Sequence, residues 1–197
     1  MSAAAESLVV VAPLWIEARA LRPGLAGAAL ERCGMGRARA ERAARALAQR
    51  RPAPGAVAVA GVCGSLAARF VPGDVIVASE IRGAGAPRLL ESAKPLARAL
   101  EARGIRVQLG PIVSLDHLLR RAERESLAAS GALAVDMESA WLASLADRVP
   151  FAVLRVVSDG PGHELLSPSI VANGIRALRA LRAAAPALVT WATTCTH

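Results

Sequence analysis

Three acidic stretches of this sequence sit where a carboxylate could do chemistry. Asp159 closes the apolar run Phe151-Ala152-Val153-Leu154-Arg155-Val156-Val157-Ser158. An aspartate ending such a run is partly desolvated, which raises its pKa and lets it keep a proton near neutrality as a general acid. Ser-Asp-Gly-Pro is also ordinary turn or helix N-cap chemistry, so position alone leaves both readings open. The segment Ala134-Val135-Asp136-Met137-Glu138-Ser139-Ala140 sets two carboxylates around a methionine where a strand passes into a helix. Sheltered carboxylates bind vicinal hydroxyls strongly, and acidic residues also match the dipole of a helix N-terminus. Glu17 follows the first apolar strand, where it could activate water or lie on the solvated face of a helix. Gly61-Val62-Cys63-Gly64-Ser65 offers backbone N–H groups to an anion or an oxygen-rich ligand, as many tight turns do.

The elements that must position these residues follow from periodicity and breakers. Strands are expected over Ser7–Ala12, Ala56–Ala60, Val75–Ile81, Ile105–Val113 (bent at Gly110-Pro111), Ala132–Asp136 and Phe151–Val157. Helices are expected over Trp15–Leu21, Arg37–Gln49, Lys94–Arg103, Leu119–Ala129 and Met137–Ala146. A last helix, Ser167–Ala185, is capped by Ser167 and stopped by Pro186. Gly61–Leu66 reads as a loop at the end of its strand, and Gly24–Cys33 fits no single element. Strands alternating with helices imply an α/β fold with a sheet covered on both faces, in one domain spanning residues 1–197. Ligands of such sheets bind beyond the carboxyl ends of strands, where all the candidate residues fall.

Composition narrows the class. The 197 residues are 54% hydrophobic and 20% charged, which excludes a disordered chain. No apolar run approaches the roughly 20 residues a membrane span requires. The segment from Met1 to Ser7 has no basic region ahead of Leu8-Val9-Val10-Val11, so no signal peptide and a cytoplasmic location are expected. The net charge of +8 comes from 24 basic residues, of which only Lys94 is a lysine. Arg37, Arg39, Arg42, Arg45 and Arg50 could form a nucleic-acid footprint, but at 3% aromatics there is little to stack bases on. A biased coding composition accounts for the arginines, and no nucleic-acid partner is expected. Cys33, Cys63 and Cys195 form no CxxC pair, and His117, His163 and His197 are unclustered, so neither a disulfide framework nor a metal site is expected.

Taken in order, these segments resemble the nucleoside phosphorylase and nucleosidase superfamily, in its methylthioadenosine/S-adenosylhomocysteine nucleosidase branch. The resemblance runs from Val9 to about Gly160. It is carried by the first strand with Glu17, by Gly34-x-Gly36, and by Gly61-Val62-Cys63-Gly64-Ser65-Leu66 with Pro72-Gly73-Asp74-Val75. Val135-Asp136-Met137-Glu138-Ser139-Ala140 and Val156-Val157-Ser158-Asp159 complete it and are its specific parts. It implies a three-layer α/β/α sandwich with a central mixed sheet. It also implies that Asp159 protonates N7 of the purine, with Ser158 beside it, and that Glu17 positions the attacking water. Glu138 would hold the ribose hydroxyls, with Met137 packed on the sugar. Gly64, Ser65 and the neighbouring backbone would line the sugar side, and His117 and Leu118 the base. No cofactor or metal is implied, and a homodimer is.

Phosphorylases of the family carry a phosphate-binding arginine two residues before the glycine equivalent to Gly61. Val59 stands there, so hydrolysis with water as co-substrate is expected. A phosphate-dependent phosphorylase and a non-catalytic nucleoside-binding relative are the alternatives; Gly64-Ser65, Gly160-Pro161 and Leu118 depart from the family's usual pattern. The arginine richness and the run Gly131-Ala132-Leu133-Ala134-Val135-Asp136-Met137-Glu138-Ser139 resemble the nucleosidases of bacterial hopanoid biosynthesis. That resemblance implies a purine nucleosidase releasing adenine from a 5′-substituted adenosine, adenosylhopane. The tail Trp191–His197 shows no role in the sequence, and which of Trp15, Trp141 and Trp191 meets a partner stays open.

Overall fold

A computed structural model describes residues 7–83, 85–161 and 170–195, with Arg121 described in its backbone alone. Its strands are β1 (Leu8–Ala12), β2 (Ala29–Arg32), β3 (Ala56–Ser65), β4 (Val75–Arg82), β5 (Arg88–Leu89), β6 (Val107–Ser114), β7 (Ala134–Asp136) and β8 (Phe151–Asp159). Its helices are α1 (Trp15–Leu21), α2 (Arg37–Gln49), α3 (Ala93–Glu101), α4 (Arg121–Ala129), α5 (Ser139–Leu142) and α6 (Ile170–Thr194). Short 3₁₀ turns follow α1 and α5, at Arg22–Gly24 and Ala143–Asp147. The stretch Gly24–Cys33, which fitted no element, thus divides into a turn and an edge strand.

Alternation along the central strands explains the layering. Ala56, Ala58 and Ala60 of β3, with Leu154 and Val156 of β8, face a core made with α1, α3 and α6. Val57 and Val59, with Phe151, Val153 and Val157, face a second core made with α2 and α5. Both faces of these strands are buried, which is why they read as unbroken apolar runs. The result is a mixed α/β sheet between two helical layers. Parallel pairs are β1–β2, β1–β3, β3–β8, β4–β6 and β6–β7; β3–β7, β4–β8 and β4–β5 are antiparallel. Because β8 pairs with both β3 and β4, the strands β3, β7, β6, β4 and β8 close into a ring.

Several expected boundaries move, each for a tertiary reason. Gly61–Ser65 is strand, not loop: it pairs with Arg155–Asp159 on one side and with Ala134 and Val135 on the other. Asp159 is likewise the last residue of β8 rather than part of a following turn. The region expected to be a helix over Met137–Ala146 is one short helix followed by the 3₁₀ turn. The bend at Gly110-Pro111 coincides with a register shift in β4 between Ala78 and Glu80.

Pro186 does not end the last helix, which runs on to Thr194. The proline deprives only the exposed Arg182 of a backbone bond, and its ring packs against Gly24, where an added Cβ would stand 2.8 Å from Pro186 Cδ. Beyond it, Trp191 and Ala192 are fully buried and hold the helix to the core. The tail therefore has a structural role as far as it is described. Trp15 is exposed, Trp141 lies under the Arg37 guanidinium at 4.7 Å, and Trp191 is interior. The Ser167 cap, His163 and His197 lie outside the described residues. No helix among the described residues is long and apolar enough to cross a membrane.

Replacing Trp191 by alanine leaves the largest fully buried side chain's place empty. Trp191→Ala is expected to lower the free energy of unfolding by about 3–5 kcal/mol, read by urea denaturation.

Candidate active site

β1, β3 and β8 run parallel, so their carboxyl ends share one edge of the sheet, and the residues just past them face a common space. A cavity of about 590 Å³ opens there. Of the residues singled out in the sequence, Glu17, Gly64, His117, Leu118, Met137, Glu138, Ser158 and Asp159 line it. Ser65 does not: its hydroxyl is fully buried, 3.3 Å from the Ala67 carbonyl and packed beneath Gly160. A second cleft of about 610 Å³ between α3 and α6 is lined by Arg103, Arg179 and Arg182 and holds no carboxylate.

Glu17 is folded back onto the start of its own helix. Its Oε2 accepts the Leu14 N–H at 2.6 Å and its Oε1 accepts the Val62 N–H at 2.7 Å, which ties α1 to β3. Gly61 makes this approach possible. A Cβ there would lie 2.6 Å from Glu17 Oε1 and 2.8 Å from Arg155 Nη1. Its role is close packing, since its φ is not positive.

Arg155, in the middle of β8, has no exposed surface. Its Nη2 lies 2.8 Å from Asp136 Oδ2 and 3.4 Å from Glu138 Oε2, and donates to Ser139 Oγ at 3.0 Å. Its Nε has no partner among the described residues. Asp136 is consumed by this framework. Its Oδ1 accepts from Ser114 Oγ at 2.5 Å and from the Glu138 and Ser139 N–H groups at 3.2 Å, and Ser139 Oγ donates to its Oδ2. Of the two carboxylates around Met137, both of which line the cavity, Glu138 is the less committed, with one oxygen accepting the Gly36 N–H at 3.0 Å.

Burial is the main cause that pushes Glu17 and Glu138 above the ordinary glutamate pKa; the nearby Arg155 and the backbone donors oppose it. Asp159 is shifted upward for the same first reason, against the Ser158 hydroxyl 2.9 Å from its Oδ1 and the charge of Arg124. The cavity therefore presents a carboxyl at Asp159 that stands apart from a second group of acids gathered on Arg155. Burial also raises Cys33 to about 11 and Cys63 further, so both thiols stay neutral.

His117 stands at the rim between two carboxylates, with Nδ1 2.8 Å from Asp116 Oδ1 and Nε2 3.0 Å from Glu123 Oε1. Beside it the lining turns apolar: Pro13, Leu14, Met35, Leu118 and Leu119. Met35 and Leu118 are exposed. Among the described residues no group of His, Cys, Asp and Glu is arranged to hold a metal ion.

Two charged residues of this site were missed in the sequence, as was the apolar lining of Pro13, Leu14, Met35 and Leu119. Arg155 sits inside an apolar strand, and a signal was there: an arginine flanked by Leu154 and Val156 can be buried only on anions, and Asp136 and Glu138 lacked a cation. Arg124 sits in the mixed-charge run Arg121-Ala122-Glu123-Arg124-Glu125, which looks like a solvated helix. It reaches into the cavity and donates to the Ser65 carbonyl.

The sequence profile of the phosphorylase superfamily matches residues 26–190. Comparison with curated proteins gives no match. Among solved structures the chain is similar to a futalosine hydrolase mutant of Helicobacter pylori strain 26695, at TM-score 0.80 and 17% identity over 93% of this chain and 98% of that one. It is also similar to the 5′-methylthioadenosine/S-adenosylhomocysteine nucleosidase of Campylobacter jejuni, at TM-score 0.79 and 15% identity over 93% and 97%. The corresponding Helicobacter pylori nucleosidase, solved with butyl-thio-DADMe-Immucillin-A, gives TM-score 0.74 and 15% identity over 96% and 97%.

The raised carboxyls make stability depend on pH in a fixed direction. Glu17 and Glu138 bind protons more tightly folded than unfolded, so the stability they contribute is full below their ordinary value of 4.5 and is lost as pH rises through their folded values. Glu17→Gln removes one of these protons from the balance. Its free energy of unfolding, measured by denaturant titration at a series of pH values, is expected to fall less steeply above pH 4.5 than that of the unsubstituted protein.

Proposed function

We propose, from the premise that the chain belongs to the phosphorylase superfamily, that it is a purine nucleosidase: it hydrolyses the N-glycosidic bond of a 5′-substituted nucleoside and releases the free base. One observation carries this reading. A single cavity holds Asp159, whose pKa burial raises, and, separately, Glu17 and Glu138 gathered on the buried Arg155.

Breaking the bond between an anomeric carbon and a base passes through an oxocarbenium-like sugar, so the site must protonate the leaving group, supply a nucleophile and face the developing cation with negative charge. Asp159 gives its proton to the purine at N7. The bond from C1′ to the base breaks and its electron pair leaves with the base. Glu17, held by two backbone N–H groups, orients a water and takes its proton as the oxygen bonds to C1′. Glu138 accepts from the ribose hydroxyls and, with Glu17, faces the cationic sugar. Met137 packs against the sugar, and His117 and Leu118 wall the base. None of these steps calls on a metal or an organic cofactor.

Hydrolysis is favoured over phosphorolysis by charge. Glu17, Asp136 and Glu138 outnumber the one guanidinium of Arg155, an arrangement that repels a phosphate dianion and accepts a neutral water. Val59, where the phosphorylases carry an arginine, is fully buried in the core. The solved relatives are named nucleosidases and a hydrolase, which supports the same side.

The apolar rim of Pro13, Leu14, Met35, Leu118 and Leu119 suits a bulky apolar 5′ substituent. In its finest form the reading is therefore release of adenine from adenosylhopane, in hopanoid biosynthesis. Met35 and Leu118 on this rim are exposed, as are Trp15 and Ile16, which follow the rim residue Leu14 in the chain; such exposed apolar side chains support a homodimer.

The test is base release followed by chromatography, with methylthioadenosine, S-adenosylhomocysteine, adenosine, inosine and adenosylhopane each given with and without phosphate. Free adenine without phosphate is expected, fastest from adenosylhopane; strict dependence on phosphate would make the protein a phosphorylase. Asp159→Asn is expected to slow release at least ~100-fold with an unchanged melting temperature, since it removes the general acid and preserves its shape.

A further inference from the structure

Arg124 belongs to none of the motifs above, yet its guanidinium enters the cavity on the side of Asp159. Its Nη1 donates to the carbonyl of Ser65, the last residue of β3. The preceding residue, Gly64, is the register partner of Asp159, and a Cβ on it would stand 3.0 Å from Asp159 Oδ2. Arg124 thus clamps the end of the strand on which Asp159 rests. Among the described residues Arg37, Arg50, Arg82 and Arg88 each lie on a carboxylate. Arg124 makes no such pair within ion-pair distance, and the negative charge it faces is that of Asp159.

Among the described residues, few other charged or titratable groups face Asp159. From β3 there is Cys63, whose thiol burial keeps neutral. From its own strand there is Ser158, which does not titrate. Glu17, Asp136 and Glu138 gather on Arg155 instead. Arg124, from α4, is the one arginine or lysine that lines the cavity among the described residues; His117 lines it too, held between Asp116 and Glu123, whose hydrogen bonds raise its pKa.

We propose that Arg124 is the positioning residue of the acid step: it holds the end of β3 against Asp159 and meets the carboxylate that Asp159 becomes when its proton passes to the leaving base. The proposal rests on the nucleosidase reading. In that reaction the proton moves from Asp159 to N7, the electron pair of the broken bond goes to the base, and the proton of the attacking water goes to Glu17. Asp159, which is largely buried, is left as an anion. An acid buried with no counter-charge holds its proton too tightly to release it on the time scale of turnover. The guanidinium sets the balance between keeping the proton before the step and letting it go during the step.

The experiment compares Arg124→Met and Arg124→Lys with the unsubstituted protein. It reads kcat and KM for base release across pH, the melting temperature, and the titration of the Asp159 carboxyl by carbon-13 NMR. Arg124→Met is expected to lower kcat about tenfold with little change in KM. Its alkaline limb should move to higher pH, because Asp159 loses the cation that favours its ionised form. Arg124→Lys should restore the limb and most of kcat. A methionine variant with unchanged kcat and limb overturns the proposal. So does a loss of activity that comes with a lowered melting temperature and an unmoved limb, which marks a purely structural clamp. If the unsubstituted protein releases no base from any nucleoside, the nucleosidase reading itself fails. The carboxyl titration still decides whether Arg124 acts on Asp159: an upward shift in Arg124→Met supports it, and an unmoved titration overturns it.

Discussion

The guanidinium of Arg155 can stay charged with no exposed surface only because carboxylates surround it. Taking an arginine out of water costs several kcal/mol, and the return comes from Asp136 at 2.8 Å, Glu138 at 3.4 Å and the charge of Glu17 nearby. Each of these partners arrives from a different part of the chain: Glu17 from α1, Asp136 from the end of β7, Glu138 from the start of α5. Removing Arg155 would leave three buried acids without a cation, and removing any acid would leave Arg155 short of one. The cluster therefore fixes how α1, β7 and α5 meet β8, and the site inherits its geometry from that requirement.

The closed ring of β3, β7, β6, β4 and β8 is what lets so many elements converge. β3 is long enough to pair with β8 along one edge and with β7 at its tip, so Gly61–Ser65 forms a floor between Arg155 and Asp159. Small residues are required there for opposite reasons. Gly61 yields space to Glu17 and Arg155, and Gly64 yields space to the Asp159 carboxyl. The irregular register between Cys63 and Gly64 turns the end of the strand, which brings Gly64 opposite Asp159.

Much of this was legible in the sequence where local chemistry decides the outcome. Arg37–Gln49 is a helix with the boundaries its alanines, arginines and following prolines dictate. The α/β class follows from alternation, and the acidic residues at strand ends do face one cavity. What escaped was decided by distant partners. Gly61-Val62-Cys63-Gly64 reads as a turn because glycine is permissive, and only pairing on both edges makes it strand. Pro186 reads as a stop because its N–H is missing, and burial of Trp191 beyond it carries the helix through. Ser65 looks like a donor for a ligand, but the closeness of Gly160 turns its hydroxyl into the fold. Arg155 and Arg124 hide in patterns that usually mean core and solvent, and their partners are distant in sequence, Ser139 lying 16 residues from Arg155 and Ser65 lying 59 from Arg124.

The distribution of charge inside the cavity bears on which nucleophile it can use. Three carboxylates to one guanidinium leave the Arg155 side short of positive charge, and burial strengthens the hold of Glu17 and Glu138 on a proton. A phosphate dianion entering there would meet that same surplus with no free cation to offset it, because Arg155 is already engaged. A water adds no charge, and a sugar that turns cationic as its bond breaks removes part of the imbalance. The arrangement that is least comfortable when empty is therefore most complementary to the moment of bond cleavage. At the Asp159 end the logic is reversed. In the proposed reaction a neutral acid becomes an anion there, and the group facing it is a cation. Acid and base are told apart by their surroundings rather than by their side-chain type, which is how carboxyl groups in one cavity can hold opposite roles in one step.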